Sequence, residues 1–247
     1  MSTGNSRMNT VSKRASRWKI GRWAALALLL FLMAAPALAG GGSGFSLTVT
    51  PASAATQPGA AAVFTIAVKC NTCSVILGAS ISPSVSNGPT LTLSRYHIIN
   101  GGGAVLRVSA GPSTPLMTYT ITVIARDTQS SQTKSASVTI TVNDFTITAN
   151  PTSVTVPAGQ TATSTVTVTG LNGFSGTIYY SVNEPSATTT GLACNLQPDP
   201  VTLSSTVTSI SSTLSCSGTP GTYAVVISGT PYNGTPVRSA TVTITVN

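Results

Sequence analysis

SASVTITVN, residues 135–143, returns as SATVTITVN at residues 239–247. Val138, Ile140 and Val142 alternate with Thr139 and Thr141, and Val242, Ile244 and Val246 alternate with Thr243 and Thr245. A period of two is that of a strand, here with one apolar face and one lined by hydroxyls, so each copy needs a second sheet to cover its apolar side. The first copy runs straight into Asp144-Phe145, where a pattern begun at Phe45 starts again. Each copy therefore closes one of two units, residues 45–143 and residues 144–247.

Two alignments support the duplication. At an offset of 100, Phe45/Phe145, Pro51/Pro151, Ser53/Ser153, Gly59/Gly159 and Val68/Val168 coincide. At an offset of 104, Thr118 to Asn143 runs without a gap against Thr222 to Asn247. Matched ends around unequal middles are what a repeated fold shows, because loops absorb insertions that strands do not. Alternating runs also occupy 45–49, 63–68, 104–109, 119–124, 145–149, 164–168, 177–182, 212–216 and 223–228, separated by Pro, Gly, Ser and Asn. About seven short strands per hundred residues is the density of a β-sandwich. Thr and Val disfavour helix through their stiff χ1 torsions. The fold class is all-β: two tandem sandwiches.

Tyr119 and Tyr223 each follow a Pro/Gly/Thr corner, where a tyrosine hydroxyl can bond back to the backbone just upstream. Asn233-Gly234 is the strongest hairpin signal and should join the last two strands.

The N-terminus is of another kind. Arg7, Lys13, Arg14, Arg17, Lys19 and Arg22 precede an apolar run from Trp23 to Ala35, then Ala37-Leu38-Ala39. This is the pattern of a secretory signal peptide, residues 1–39, with a Gly-rich leader at 40–44. The apolar run is too short for the roughly 20 residues of a membrane span. No stable span is expected after cleavage, and secretion or cell-surface association follows, with the periplasm a further possibility.

Cleavage also changes the charge. The whole chain is at +8 with only 6% charged residues, against about 25% in an ordinary soluble domain. Six of the twelve cations lie in the signal, leaving six against four acids. That is +2, without the Lys/Arg patch that nucleic acid requires.

With that frame in place, N-G-F-S-G at 172–176, P-x-S-V-T-V-x-A-G at 151–159 and G-T-Y at 221–223 can be recognised. They resemble the immunoglobulin-like, fibronectin-III-like repeats found in tandem in secreted and surface proteins of bacteria and archaea. The likeness is good over 145–247 and weaker over 45–143, where Cys70 to Cys73 stands in the place of the NGFSG loop. It implies a spacer, stalk, adhesive or accessory module, often beside an extracellular enzyme, and brings no catalytic residues. The Cys-Trp-Cys core of antibody domains is missing, since both tryptophans lie in the signal.

Candidate chemistry is sparse. Four cysteines in an exported chain imply two disulfides. Cys194 with Cys216 is the favoured pair, closing a loop worth about 3 kcal/mol. Cys70-Asn71-Thr72-Cys73 reads as a loop-stiffening disulfide rather than a redox centre, because no helix N-terminus is present to activate a thiolate. Two Cys pairs in different units and one His97 make a poor zinc site. Asp144 alone is too few carboxylates for calcium. Asp199 and Glu184, in Pro-flanked loops, are the pair within the second unit that a glycosidase could use. One histidine and no G-x-S-x-G elbow argue against a hydrolytic triad. No catalytic, cofactor or metal site is expected.

For binding, exposed tyrosines suit sugars. Tyr179 and Tyr180 must face opposite ways; Tyr180, Tyr232 and Tyr96 are the candidates for glycan contact. Asn233-Gly234-Thr235 is also a glycosylation sequon. The expected function is a secreted or cell-surface structural or adhesive module without catalysis, its partner a surface protein, a polysaccharide or a copy of itself. The alternatives are a glycan-binding accessory module, or a filament subunit pairing through an edge strand at 45–49 or 239–247. With no sorting motif after Asn247, attachment is expected to be non-covalent.

Overall fold

A computed structural model describes residues 44–183 and 191–247. The signal peptide at 1–39, the leader up to residue 43 and Glu184 lie outside the described residues. Those described belong to one compact unit and include no helix.

The first sandwich has nine strands: β1 (Ser46–Thr50), β2 (Ser53–Thr56), β3 (Ala61–Lys69), β4 (Ser74–Ser82), β5 (Thr90–Leu93), β6 (His97–Ile99), β7 (Gly102–Ser109), β8 (Thr118–Asp127) and β9 (Thr133–Val142). They form one sheet in the order β1-β3-β7-β5 and another in the order β2-β9-β8-β4-β6. The second sandwich has β10 (Asp144–Asn150), β11 (Ser153–Val156), β12 (Ala162–Leu171), β13 (Gly176–Asn183), β14 (Leu192–Gln197), β15 (Val201–Leu203), β16 (Ser209–Gly218), β17 (Gly221–Pro231) and β18 (Arg238–Val246). Its sheets run β10-β12-β16-β14 and β11-β18-β17-β13-β15. Each strand of the second takes the place of the strand nine earlier in the first. The chain is two tandem immunoglobulin-like β-sandwiches of identical topology.

The repeated segment ends each unit from inside a sheet. β9 lies between β8, antiparallel, and β2, parallel, and β18 likewise between β17 and β11. This corrects the expectation that residues 239–247 offer a free edge: the short parallel strand covers that side. Residues 46–50 do form an edge, as β1 is the outer strand of its sheet. Density is also higher than expected, nine strands per unit rather than about seven.

Alternation decides burial. Phe64, Ile66, Leu106, Ile121, Val123 and Ile140 fill the first core, and Phe145, Ile178, Leu214, Val225, Ile227 and Ile244 the second. Each such side chain removed from water contributes about 1.5–3 kcal/mol. The cores differ in one corresponding position. Ala125 is buried in β8, but its counterpart in β17 is Gly229, where a Cβ would lie 2.9 Å from Cγ2 of Ile178 and closer still to Ile147.

Both tyrosine corners form. The hydroxyl of Tyr119 donates to the Pro115 carbonyl at 3.1 Å, and that of Tyr223 to the Thr219 carbonyl at 3.0 Å. Asn233-Gly234 does join the last two strands, though as a six-residue loop: the Gly234 amide bonds to the Pro231 carbonyl at 2.8 Å and Gly234 takes φ of 83°.

Candidate functional site

Three groups that sequence spacing scatters meet at the β4–β6 edge of the first sandwich. Pairing of β4 with β6 places Ser74 beside His97, with Ser74 Oγ 2.7 Å from Nε2. The end of β8 brings Asp127 under the same strand, where one carboxylate oxygen accepts the Ser74 amide at 3.0 Å. Sequence reasoning found no serine for His97 because the contact spans two strands that do not pair through a hairpin. An elbow motif was the wrong signal to look for.

The arrangement stops short of a triad. Asp127 accepts from the amides of Ser74, Gln129 and Ser130 and from the Ser130 hydroxyl. Hydrogen bonds from Ser130 and Ser74 lead in holding its pKa down to about 2. Its oxygens close the β8–β9 turn rather than orient the imidazole. In a hydrolytic triad the carboxylate bonds the histidine and so sets the tautomer that takes the serine proton. Ser74 and His97 also sit on the outer side of a sheet edge, with His97 exposed.

The cysteines are placed as expected. Cys70 and Cys73 are joined across the turn from β3 to β4, and Cys194 and Cys216 between β14 and β16. The second bridge links residues directly opposite in register, so it ties an edge strand to its neighbour. The first turn corresponds to the NGFSG loop, which connects β12 to β13.

The acids are engaged locally. Asp199 accepts the Tyr180 amide at 3.1 Å. Asp144 forms an ion pair with Arg238 and accepts the Phe145 amide at 2.8 Å. Among the described residues no three His, Cys, Asp or Glu side chains gather to hold a metal.

The tyrosines divide. Tyr180 faces inward, packed on the second core, with its hydroxyl 3.4 Å from Ser212 Oγ. Burial, ahead of the opposing Ser212 hydrogen bond, raises its pKa. Its neighbour Tyr179 is the one that faces solvent. Tyr96 is exposed on the β5–β6 connection, and Tyr232, 90% exposed, stands on the β17–β18 loop. Asn233 of that loop reaches Gln57 of the first sandwich at 3.4 Å.

Hydroxyls dominate several sheet surfaces. Thr118 with Thr141, Thr122 with Ser137, Thr167 with Ser211, Thr169 with Ser209, Thr177 with Thr202 and Thr222 with Thr245 meet across strands at 2.9–3.3 Å. A row of paired hydroxyls is a weakly charged face whose donors and acceptors already serve one another. An open depression of about 380 Å³ lies between Asn87-Gly88 and Ser109 to Thr114. Thr114 lines it, with Oγ1 buried and unpartnered.

No protein-family model and no curated protein matches the chain. Solved structures match at low identity. Domains 4 and 5 of the S-layer protein SbsC are 22% identical over 56% of this chain and 69% of that one, with a TM-score of 0.33. The C-terminal domain of the AgI/II polypeptide BspA from Streptococcus agalactiae is 8% identical over 82% of this chain and 100% of that one, with a TM-score of 0.45. Fibronectin(III)-like modules of Clostridium thermocellum CbhA are 10% identical over 82% and 94%, with a TM-score of 0.30.

Proposed function

We propose that this protein is an exported structural module of the cell surface, adhesive rather than catalytic. The observation that carries the reading is the use made of its polar groups. Asp127, Asp144 and Asp199 each serve a turn, an ion pair or a strand end, and sheet hydroxyls pair with one another. Two disulfides, one across a turn and one within a sheet, suit an oxidising compartment. Neither cysteine pair has, among the described residues, a helix terminus beside it to lower a thiol pKa.

The test is localisation. Antibodies raised against the folded sandwiches should label intact source cells, and label confined to permeabilised cells would refute the reading. A glycan-binding role is the second reading, favoured by the exposure of Tyr96 and Tyr232. A glycan array with the purified protein, repeated with Tyr96→Ala and Tyr232→Ala, should then show a signal that both substitutions reduce. Tyr180→Ala serves as the control for a tyrosine that packs inward.

A further inference from the structure

The two sandwiches carry opposite charge. Residues 44–143 hold Lys69, Arg95, Arg107, Arg126 and Lys134 against Asp127 alone, while residues 144–247 hold Arg238 against Asp144, Glu184 and Asp199. Asp127 is enclosed by its hydrogen bonds, and among the described residues none of these five cations forms an ion pair.

An apolar patch lies among those cations. On the outer face of the β2-β9-β8-β4-β6 sheet, Ile76 stands in register between His97 and Arg126, and Ile124 pairs with Gly78 one row on. Gly78 has no side chain, so the diagonal from Ile76 to Ile124 is uncovered. Ile99, opposite Ser74, continues the patch toward the edge. Ile76, Ile99 and Ile124 are 50%, 63% and 42% exposed. Large side chains grouped in this way on an outer face mark an interaction surface, whereas scattered ones do not.

The second sandwich repeats the position without the cation and with an acid nearby. Arg126 corresponds to Thr230, and the residue in register with Thr230 is Tyr179, so Tyr179 occupies the lattice point of Ile76. It is 46% exposed. Near it, in the loop before β15, is Asp199, whose carboxylate holds the amide of Tyr180.

We infer that copies of this chain associate head to tail, the Ile76–Arg126 face of one molecule seating on the Tyr179–Asp199 face of the next. The patches are on different sandwiches, so the contact is heterologous. It closes on itself only as a ring and otherwise grows into a fibre. The pairing seats the isoleucine patch on the Tyr179 ring and sets cation against acid, which fixes orientation and excludes the like-charged alternatives. It deepens the surface-module reading by naming the partner.

Sedimentation velocity on the purified chain tests it. The expected result is a series of oligomers that grows with protein concentration and shrinks with salt. Arg126→Asp alone and Asp199→Arg alone should each weaken assembly about tenfold or more, and mixing the two variants should restore it, because each then offers the charge the other lacks. Asp199→Asn, which keeps an oxygen for the Tyr180 amide, should fold normally and assemble weakly, separating lost charge from lost structure. A monomer at every concentration, or oligomers indifferent to these substitutions, would overturn the contact. Those outcomes leave surface labelling untouched, whereas label inside the cell would defeat the surface reading with the contact intact.

Discussion

At the scale of residues, the two tyrosine corners are the same device in different surroundings. Tyr119 is fully buried, and burial pushes its pKa up. Its hydroxyl cannot turn to water, so Tyr119→Phe leaves the Pro115 carbonyl without its donor. The expected loss is about 1 kcal/mol in urea unfolding. Tyr223 is half-buried and also meets Thr219 Oγ1 at 3.2 Å, so Tyr223→Phe should cost less; equal losses would show that burial does not distinguish the corners. Asp127 offers a second test. Its folded pKa of about 2 lies below the roughly 3.9 of an unfolded aspartate. A depressed pKa means stability present above pH 4 and lost as pH falls toward 2. Asp127→Asn should flatten that part of the stability curve, and a carboxyl resonance titrating near 4 in the folded protein would contradict the assignment. Gly229 is the third. Methyl insertion against Ile178 and Ile147 should cost about 1–3 kcal/mol in Gly229→Ala, although alanine fills the matching place in β8.

At the scale of elements, the Cys194–Cys216 bridge acts on β14, an edge strand with one neighbour. Closing a loop across a sequence separation of 22 is worth about 3 kcal/mol, against about 2 kcal/mol for the separation of 3 at Cys70–Cys73. Thermal unfolding of the Cys194→Ala/Cys216→Ala protein should therefore fall further than that of Cys70→Ala/Cys73→Ala. The reverse order would place the greater constraint in the turn. Elements also show what a sequence reveals and what it hides. The long strands β3, β8, β9, β12, β17 and β18 were legible, because six or more alternating residues leave one register open. β2, β5, β6, β11 and β15 were missed: three or four residues carry too little periodicity. β4 was missed because Ile76 and Gly78 on its outer face, beside Ala79 on its inner one, blur the alternation. Turn residues were readable and their partners were not. Asn100-Gly101 and Asn172-Gly173 have both φ angles positive, as a tight hairpin turn demands, yet each links strands of opposite sheets. Local chemistry specifies the bend; which strands then pair is decided by the core. The Ser74–His97 contact was hidden for the same reason, and the outward face of Tyr179 was left undecided until its strand had a register.

At the scale of the molecule, the decisive feature is that one residue separates β9 from β10. Asn143 is buried; its amide bonds to the Thr56 carbonyl at 3.0 Å and its side chain accepts from Gln57 at 3.3 Å. The backbone bond is repeated at the end of the second sandwich, where the Asn247 amide bonds to Val156 at 2.9 Å, so it belongs to each unit separately. What belongs to the joint is the reach of the second sandwich back to the first. Asn172 donates to the Val142 carbonyl at 2.7 Å, and Asn233 to Gln57 at 3.4 Å. A single buried connector with two flanking hydrogen bonds has few torsions left to rotate, so the sandwiches should keep a narrow range of angles. Small-angle scattering and residual dipolar couplings should fit one orientation. Asn172→Gly, which keeps the positive φ of the turn but loses the donor, combined with Asn233→Ala, should broaden that range without lowering the melting temperature of either sandwich by more than a few degrees. Wild-type data that require freely tumbling domains would show that the bonds at the joint do not hold. The head-to-tail contact would then have to form between units of no fixed relative direction, which would favour short, irregular oligomers over fibres.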